Sequence, residues 1–378
     1  MNLTKRLFLG LGIGVSAFAF SQNIQPVLTG APFLRISPDA RAGGMGDQGV
    51  VTSTDVFSQF WNAAKYPFAK VSSGFGVNYT PYMSKLTSDV FLLYGSFYTF
   101  IGDDERSTLS ASIYYFNMGE VNLTEIGAGQ SIIDKGTAKP NEFSIDLAYG
   151  LKLTDNYSMA VTGRFIRSDL GGNFGSSDGT LKPANTFAVD VSGYFMSPKH
   201  ESVSGYEGRV KAGWAVQNLG PKLDYTGDEE SRSYLPTMAR LGLGYDLLID
   251  DQNRFSLSGE ASKILVPGPD EITGLVPNLG VMEGIGKSFN NKKSIMFSGA
   301  AEYSYDETFA LRAGYFTEAP EQGARQYATV GVGFKYASFG LDLSYLINTS
   351  KINSALDNTL RFGLTWNIGT ETYNAQDY

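Results

Sequence analysis

The chain has no cysteine and only one histidine, His200, among its 378 residues. Without cysteine it can form no disulfide, no thiolate metal site and no thiol nucleophile. One histidine cannot give a metal two imidazole ligands, and it leaves a Ser/His/Asp triad with a single candidate base. These absences weigh against hydrolases and metalloenzymes. We therefore expect a protein that is not an enzyme, with no metal and no cofactor.

Charge is also scarce. Charged residues make up 18% of the chain, whereas ordinary soluble domains carry about 25%. Aromatic residues reach 13%, and they are enriched in half-buried strands rather than in helices. The net charge is −8, and it becomes −10 without Lys5 and Arg6. A chain this acidic is not expected to bind nucleic acid.

The first 21 residues have the pattern of a secretory signal peptide. Lys5 and Arg6 precede an apolar run over residues 7–20, and Ala19-Phe20-Ser21 places small residues where a signal peptidase reads them. The run is shorter than the ~20 apolar residues that a membrane-spanning helix needs. We therefore expect residues 1–21 to be removed on export.

After residue 22 the dominant pattern is alternation with a period of two. Leu360, Phe362 and Leu364 share one face of an extended segment, while Arg361 and Gly363 share the other. This pattern is typical of a strand that lies between two different solvents. Fourteen such segments can be counted, near 71–80, 89–101, 107–118, 142–153, 157–168, 185–196, 208–218, 238–248, 253–264, 294–304, 308–317, 326–336, 338–347 and 358–368.

The length of these segments favours a membrane barrel over a β-sandwich. Most contain 10 to 13 residues. A tilted transmembrane strand needs ~9–11 residues, whereas globular strands cluster near ~5–6. Long and short connections alternate, as they do between the outer loops and periplasmic turns of such barrels. The sequence predicts an all-β transmembrane antiparallel barrel of about 14 strands over residues 71–368, with aromatic girdles that include Tyr98, Tyr114, Tyr194 and Tyr315.

Residues 22–70 do not alternate, and their proline and glycine content argues against a regular strand. Residues 55–65 can form a short helix with Phe57, Phe60 and Trp61 on one side. A plug inside the barrel and a periplasmic arm on its rim both fit this composition. About eight strands already enclose a packed interior, so a fourteen-stranded barrel has room to fill. We therefore expect residues 22–70 to form an N-terminal hatch or plug.

Charged residues within the predicted strands fall on the face opposite the apolar residues. They can line an ion-selective pore, but pairing inside the barrel, between strands and plug, is the simpler expectation. His200 falls in a connection at the periplasmic end, where we expect it to be solvated. The charged residues on these faces are Arg164, Arg209, Arg240, Arg312, Arg361, Asp146, Asp190, Asp246, Glu302 and Asp342.

The run from Ala31 to Asp47, followed by Trp61-Asn62-Ala63-Ala64, resembles the start of PorV-type proteins. These are outer-membrane proteins of the type IX secretion system of Bacteroidetes, within the wider group of FadL-like fourteen-stranded barrels with an N-terminal hatch. FadL-like hatches carry an Asn-Pro-Ala turn, which matches Asn62, Ala63 and Ala64 here without the proline. The residues of the signature run are Pro32, Phe33, Pro38, Asp39, Ala40, Arg41, Gly43, Gly44, Met45, Gly46 and Asp47.

This resemblance implies a non-catalytic protein in outer-membrane lipid, beside a large translocon barrel. By the same resemblance, it would bind the C-terminal domain of cargo and deliver it to a sortase-like peptidase and attachment complex. Long outer loops at 119–141, 169–184, 219–237 and 265–293 suit recognition. Residues 369–378 would form a periplasmic tail.

The alternative function is a FadL-like transporter of small hydrophobic ligands. It requires an apolar pocket in the lumen that leads past the hatch to a gap in the wall. Segment 89–101 is apolar on both faces. Phe91, Leu93 and Phe97 are therefore candidates for a pocket or for a partner-facing wall.

Overall fold

The computed structural model describes residues 27–83, 87, 89–126, 132–171, 182–202, 205–270, 274–291, 294–319, 322–350 and 355–373. The expected signal peptide, the first hatch residues and the last tail residues lie outside these ranges. Among the described residues, no helix has the length and the apolar character that crossing a membrane requires.

The described residues form 17 strands. They are β1 (Ser73–Pro81), β2 (Val90–Ile101), β3 (Ser107–Met118), β4 (Val121–Ile126), β5 (Ile132–Ala138), β6 (Asn141–Thr154), β7 (Tyr157–Asp169), β8 (Ala184–Met196), β9 (His200–Glu201), β10 (Glu207–Leu219), β11 (Met238–Leu248), β12 (Asn253–Ile264), β13 (Ile295–Tyr305), β14 (Phe309–Glu318), β15 (Gln326–Tyr336), β16 (Phe339–Asn348) and β17 (Leu360–Asn367).

All of these strands except β4, β5 and β9 close into one antiparallel barrel. Strand β1 pairs with both β2 and β17, and β10 pairs with both β8 and β11, so the sheet has no free edge. The predicted fourteen-stranded barrel is confirmed. Each strand lies within two residues of the bounds that alternation indicated.

Two connections contain strands that the sequence did not predict. Strands β4 and β5 form a separate hairpin in the connection after β3, and β9 pairs with the start of β10. The hairpin gives no alternating signal because both of its faces are exposed, so polar and apolar residues need not alternate along it.

The long connections lie at one end of the barrel, as predicted, except that 197–206 at the other end is longer than 82–89 and 319–325. They span 82–89, 119–140, 170–183, 220–237, 265–294, 319–325 and 349–359, whereas the other end has 102–106, 155–156, 197–206, 249–252, 306–308 and 337–338. Outer-membrane barrels carry short turns toward the periplasm and longer loops outside. We therefore name the two ends the outer end and the periplasmic end.

The two faces of the wall differ in chemistry. On β11, Leu241 and Leu243 point outward and are 66% and 69% exposed, whereas the inward Arg240 is 6% exposed. This arrangement recurs around the barrel and leaves an exposed apolar band far larger than water-soluble proteins carry. The band is the lipid-facing surface of a membrane barrel.

Residues 27–70, which we call the plug, fill the lumen. Val27 packs near Tyr234 and Met238 at the outer end, and Phe68 contacts Tyr194 near the periplasmic end, with ring centroids 5.5 Å apart. The plug contains 3-10 helices at Pro32–Arg35 and Ala63–Phe68, and helices α1 (Ala40–Gly43) and α2 (Ser58–Trp61). The outer connections carry a 3-10 helix at Glu229–Ser231 and helix α3 (Val281–Ser288).

The single helix expected over residues 55–65 is wrong, because Asn62 interrupts it. Its backbone is extended, with φ −165° and ψ 94°. Its side-chain oxygen accepts the N–H of Ala64 at 3.0 Å, and its amide donates to the carbonyls of Val50 and Gly193, each at 3.0 Å. Asn62 therefore caps the second turn and ties the plug to β8, which a continuous helix would prevent.

Candidate functional site

The signature residue Asp39 organises the centre of the plug. One carboxylate oxygen accepts the N–H of Ala42 at 2.8 Å and caps α1. The other accepts the indole N–H of Trp61 at 2.7 Å. Both residues are buried. The two segments that carry the family resemblance are therefore in direct contact.

Arg41 begins a chain of alternating charges that joins the plug to three strands. It donates to Asp55 at 2.6 Å and to both oxygens of Glu302 on β13 at 3.1 and 3.2 Å. Arg312 on β14 donates to the same Glu302 at 2.6 Å and to Asp342 on β16 at 2.5 Å. Such a paired network holds its members in place because an unpaired buried charge is costly.

A second attachment joins the end of the signature run to the wall. Asp47 lies 3.1 Å from a guanidinium nitrogen of Arg361 on β17, which is fully buried. The hydroxyl of Tyr327 on β15 donates to Asp47 at 2.6 Å. Asp47 itself has φ of 55°, which asparagine and aspartate tolerate better than most residues.

A third attachment uses Glu260 on β12. Its carboxylate accepts the backbone N–H groups of Gly49 and Val50 at 3.1 and 3.2 Å and pairs with Arg240 at 2.9 Å. Sequence reasoning did not single out Glu260, although its inward position within segment 253–264 was a signal that could have found it.

Other expected interior charges are also paired across strands. Arg164 on β7 contacts Asp146 at 2.9 Å and Asp190 at 3.1 Å. Asp246 pairs at 2.6 Å with Lys211, which the sequence analysis did not include. The Arg164 pairs lie within the wall and fix strands, whereas the Lys211 ammonium also donates to the hydroxyl of the plug residue Ser53 at 3.2 Å.

Glycines of the signature let the plug backbone lie against the wall backbone. A Cβ on Gly44 would lie 2.9 Å from the Cα of Gly331 on β15. Gly46 has φ of +70°, and a Cβ there would lie 2.9 Å from the carbonyl oxygen of Tyr315. Both approaches are closer than any side chain permits. The glycine pattern is therefore required by the fit of the plug.

Aromatic side chains fill the space between the plug and β2, β3 and β8. Phe60 contacts Tyr114 at 5.8 Å between ring centroids, and Tyr66 stacks on Tyr98 at 4.6 Å. The expectation that Tyr98, Tyr114 and Tyr194 belong to girdles is wrong, since all three are buried and face the plug. Tyr315 does point outward and is 44% exposed.

Phe91, Leu93 and Phe97 lie together on the outward face of β2. Leu93 and Phe97 are 40% and 39% exposed, and the Phe91 ring lies between Tyr79 and Tyr115 at 5.7 and 6.3 Å. The lumen side of β2 carries other residues, which the plug covers. The three candidates thus belong to the outer wall.

The wall shows no gap within the described strands. Strand β3 pairs along its length with β2 and β6. The ladder between β8 and β10 is irregular near Asn218, which has φ of 59°. There the Asn218 N–H donates to Asp190 at 2.6 Å and its side-chain amide to the Pro236 carbonyl at 3.0 Å. These hydrogen bonds therefore connect the wall across the irregular part of the β8–β10 ladder.

A cavity of about 380 Å³ lies between the plug tip and the outer connections. Phe33, Ile36, Tyr82, Phe116 and Leu356 give it apolar walls. Arg35, Glu318, Gln322 and Arg325 also line it.

Two polar atoms of the lining residues, the Nε of Arg35 and the Oε1 of Gln322, are buried without a hydrogen-bond partner within the described part of the chain. Arg325, by contrast, is paired with Glu318 at 2.8 Å. The cavity can therefore accept an acidic group on an apolar body. Arg35 lies within the signature run but was not identified by sequence reasoning.

Two aspartates, Asp89 and Asp224, accept backbone N–H groups within the outer connections and so stabilise the chain there. A hydrogen bond from the Thr87 hydroxyl, and another from the Glu120 N–H, hold the pKa of Asp89 below its usual range. The N–H of Gly227 and the Arg232 guanidinium do the same for the pKa of Asp224.

The outer connections expose several apolar side chains. Ile132 on the β4–β5 hairpin is 77% exposed, and Leu275 and Met282 are each 71% exposed. His200, at the opposite end, is exposed as expected, with its ring 5.9 Å from Tyr245. Among the described residues, no group of acidic side chains or histidine is arranged to hold a metal ion.

A closed fourteen-stranded barrel with a lipid-facing band and a lumen filled by its N-terminal segment defines an outer-membrane β-barrel with a plug. Solved structures with this fold include the CymD monoaromatic hydrocarbon channel, at 10% identity and a TM-score of 0.50, covering 89% of this chain and 99% of that one. The toluene transporter TodX of Pseudomonas putida matches at 11% identity and a TM-score of 0.50, covering 90% and 97%. A Pseudomonas aeruginosa FadL homologue matches at 12% identity and 0.46, covering 88% and 98%.

Family membership is more specific than this shared fold. Residues 19–271 match the family described as type IX secretion system protein PorV. The chain belongs to this family, and it is an outer-membrane component of the type IX secretion system. No curated protein matches it in sequence. The PorV family and the FadL-like barrels are secretion and transport components.

Proposed function

We propose that this protein is a non-catalytic component of the type IX secretion system that binds the C-terminal domain of cargo at the outer surface. It then delivers the cargo to the sortase-like peptidase and attachment complex, next to the large translocon barrel. The observation that carries this proposal is the plug, which Glu302, Glu260 and Arg361 fasten to separate parts of the wall. A barrel whose lumen is filled in this way works through its surfaces.

The outer end supplies the recognition surface in this proposal. The β4–β5 hairpin stands apart from the barrel sheet, with Ile132 and Ile133 exposed at 77% and 45%. A two-stranded hairpin alone is marginally stable in water, and a protein partner would cover its apolar side chains. Cargo domains or the translocon barrel are the partners that the family membership suggests.

The test is deletion of this protein followed by tracking of cargo. We expect cargo with the C-terminal domain to accumulate inside the cell and to be absent from the surface. Normal release and attachment would refute the proposal. Complementation with Ile132→Ser plus Ile133→Ser should restore the barrel but reduce cargo capture, whereas the matched polar change Thr137→Ser on the same hairpin should restore both.

The outer cavity favours a second candidate function, transport or binding of a small hydrophobic ligand. Its apolar walls and the unpartnered Nε of Arg35 suit a ligand with one acidic group. Transport past the plug would require Glu302, Glu260 and Arg361 to release it. Uptake of small hydrophobic acids that depends on Arg35 would support this function, and cargo secretion that survives Arg35→Met would separate it from the first.

A further inference from the structure

Helix α3 has an apolar stripe that is only half covered. Gly284 and Ser288 are buried, Gly284 against Tyr234 and Pro267 of the outer connections, and Val281 and Ile285 beside them are half-buried. Met282 and Phe289 continue the stripe, because residues seven apart share a helix face. They are 71% and 61% exposed.

The exposed half of the stripe lies on the outside of the barrel. Lys263, near the outer end of β12, occupies an outward position, since Ser262 and Ile264 on either side point into the lumen and are buried. The ammonium of Lys263 lies 5.9 Å from the centroid of the Phe289 ring. It donates to the carbonyl of Asn291 at 2.7 Å. The chain after α3 is therefore tied down over the lipid-facing side of β12.

The outer aromatic girdle has a gap at this place. Along β1 to β3, Tyr79, Phe91 and Tyr115 form an outward row with ring centroids 5.7 and 6.3 Å apart. Phe143, Phe165 and Phe187 continue this row along β6 to β8 at 6.1 and 5.3 Å.

No aromatic residue continues this row at the outer ends of β11 and β12. The outward positions there are Ala239, Leu241, Ala261 and Lys263. Phe289 lies over the last of these positions. It brings an aromatic ring to the part of the girdle that the strands leave without one.

We propose that α3 is an interfacial helix whose Met282 and Phe289 insert into the outer leaflet at the boundary between head groups and hydrocarbon. The stripe is continuous with the lipid-facing band, which makes lipid its occupant rather than a protein. Glu283 and Lys287 lie 3.6 Å apart on the other flank and keep that flank in water. Amphipathic helices with this division of faces lie in the membrane interface.

The cysteine-free chain allows a direct test. The full-length protein is reconstituted in vesicles of phosphatidylcholine and phosphatidylglycerol, with one nitroxide on an introduced cysteine. Met282→Cys and Phe289→Cys report the stripe. Leu243→Cys provides a lipid reference in the wall, and Glu229→Cys provides a water reference on an outer connection, since the side chains at both positions are well exposed. Collisions with oxygen report lipid, and collisions with a water-soluble nickel chelate report water.

We expect the labels at 282 and 289 to collide with oxygen nearly as often as the lipid reference at 243. We expect them to collide with the nickel chelate at least several-fold less often than the water reference at 229. Nickel access equal to that at 229 would overturn the proposal. Shielding from both agents would also overturn it, because it would mean that protein covers the stripe. Heat-dependent mobility in detergent gels confirms that each labelled barrel is folded.

A second test keeps the nitroxide at position 282 and introduces a charge at Phe289. With the label at 282, Phe289→Lys should raise nickel access at least several-fold, because the anchor is lost. The matched change Gly280→Lys, at an open position seven residues before Lys287 and therefore on the polar flank, should leave it unchanged. Equal effects of the two changes would contradict a membrane role for Phe289.

Discussion

Trp61 donates its indole N–H to a carboxylate oxygen of Asp39 at 2.7 Å, and this bond joins the two segments of the plug that identify the family. The two residues are 22 positions apart and both are buried. Asp39 also caps α1, which carries Arg41 toward Glu302. One carboxylate thus couples the fold of the plug to its main attachment.

Trp61→Phe should loosen the plug without unfolding the barrel. The change leaves a buried oxygen of Asp39 without a donor, which costs about 1–3 kcal/mol. We expect faster labelling of a single cysteine introduced at the buried Val51 by an external maleimide. Trp214→Phe is the matched control, since its indole bonds to Tyr157 at 3.2 Å on the outward face. Equal labelling rates in the two variants would contradict a special role for Trp61.

Glu302→Ala should release the plug more strongly. It leaves Arg41 and Arg312 inside the lumen without their shared carboxylate, and breaking a buried pair in this way costs about 3–5 kcal/mol. We expect higher conductance of the purified barrel in planar bilayers. Glu201→Ala, on the exposed strand β9 at the same end of the barrel, is the control and should conduct like the unmodified protein. A closed Glu302→Ala barrel would show that the other two attachments suffice.

Most of the barrel could be predicted from the sequence, because each strand separates lipid from the interior and therefore alternates. Arg240 and Leu241 show this directly, with exposures of 6% and 66%. The inward tyrosines were assigned to girdles because Tyr98 and Tyr194 lie near strand ends. Alternation gives the correct face, since Tyr194 lies four residues after the inward Asp190 and therefore shares its face.

The plug was only partly predictable. Its composition indicated an N-terminal segment that does not alternate, but its contacts join residues more than 200 positions apart, as between Arg41 and Glu302. No local pattern encodes such a pairing. The β4–β5 hairpin was missed because both of its faces are exposed, which removes the alternation that revealed the other strands.

Gly44→Ala should displace the signature run from the wall. The new Cβ would lie 2.9 Å from the Cα of Gly331, so backbone must move, and overpacking of this kind costs about 1–3 kcal/mol. We expect the variant to lose the gel mobility of the folded barrel at a lower temperature when it is heated in detergent. Gly299→Ala is the matched control, because nothing lies within 4 Å of its new Cβ. A Gly44→Ala variant as stable as Gly299→Ala would show that the plug has room to move.

The first residues of the C-terminal tail contact the end of the plug, just before strand β1 begins. Thr372 is 2% exposed; its hydroxyl donates to the Ala69 carbonyl at 2.7 Å, and its N–H donates to the Lys70 carbonyl at 2.9 Å. Thr372→Val removes the first bond and keeps the second, so we expect a loss of about 0.5–1.5 kcal/mol. Denaturant unfolding in lipid vesicles measures this loss. Thr370→Val, whose hydroxyl makes only a long, exposed contact of 3.5 Å with Ser72, should have a smaller effect. If both variants unfold at the same denaturant concentration as the unmodified protein, the tail does not stabilise the exit of the plug.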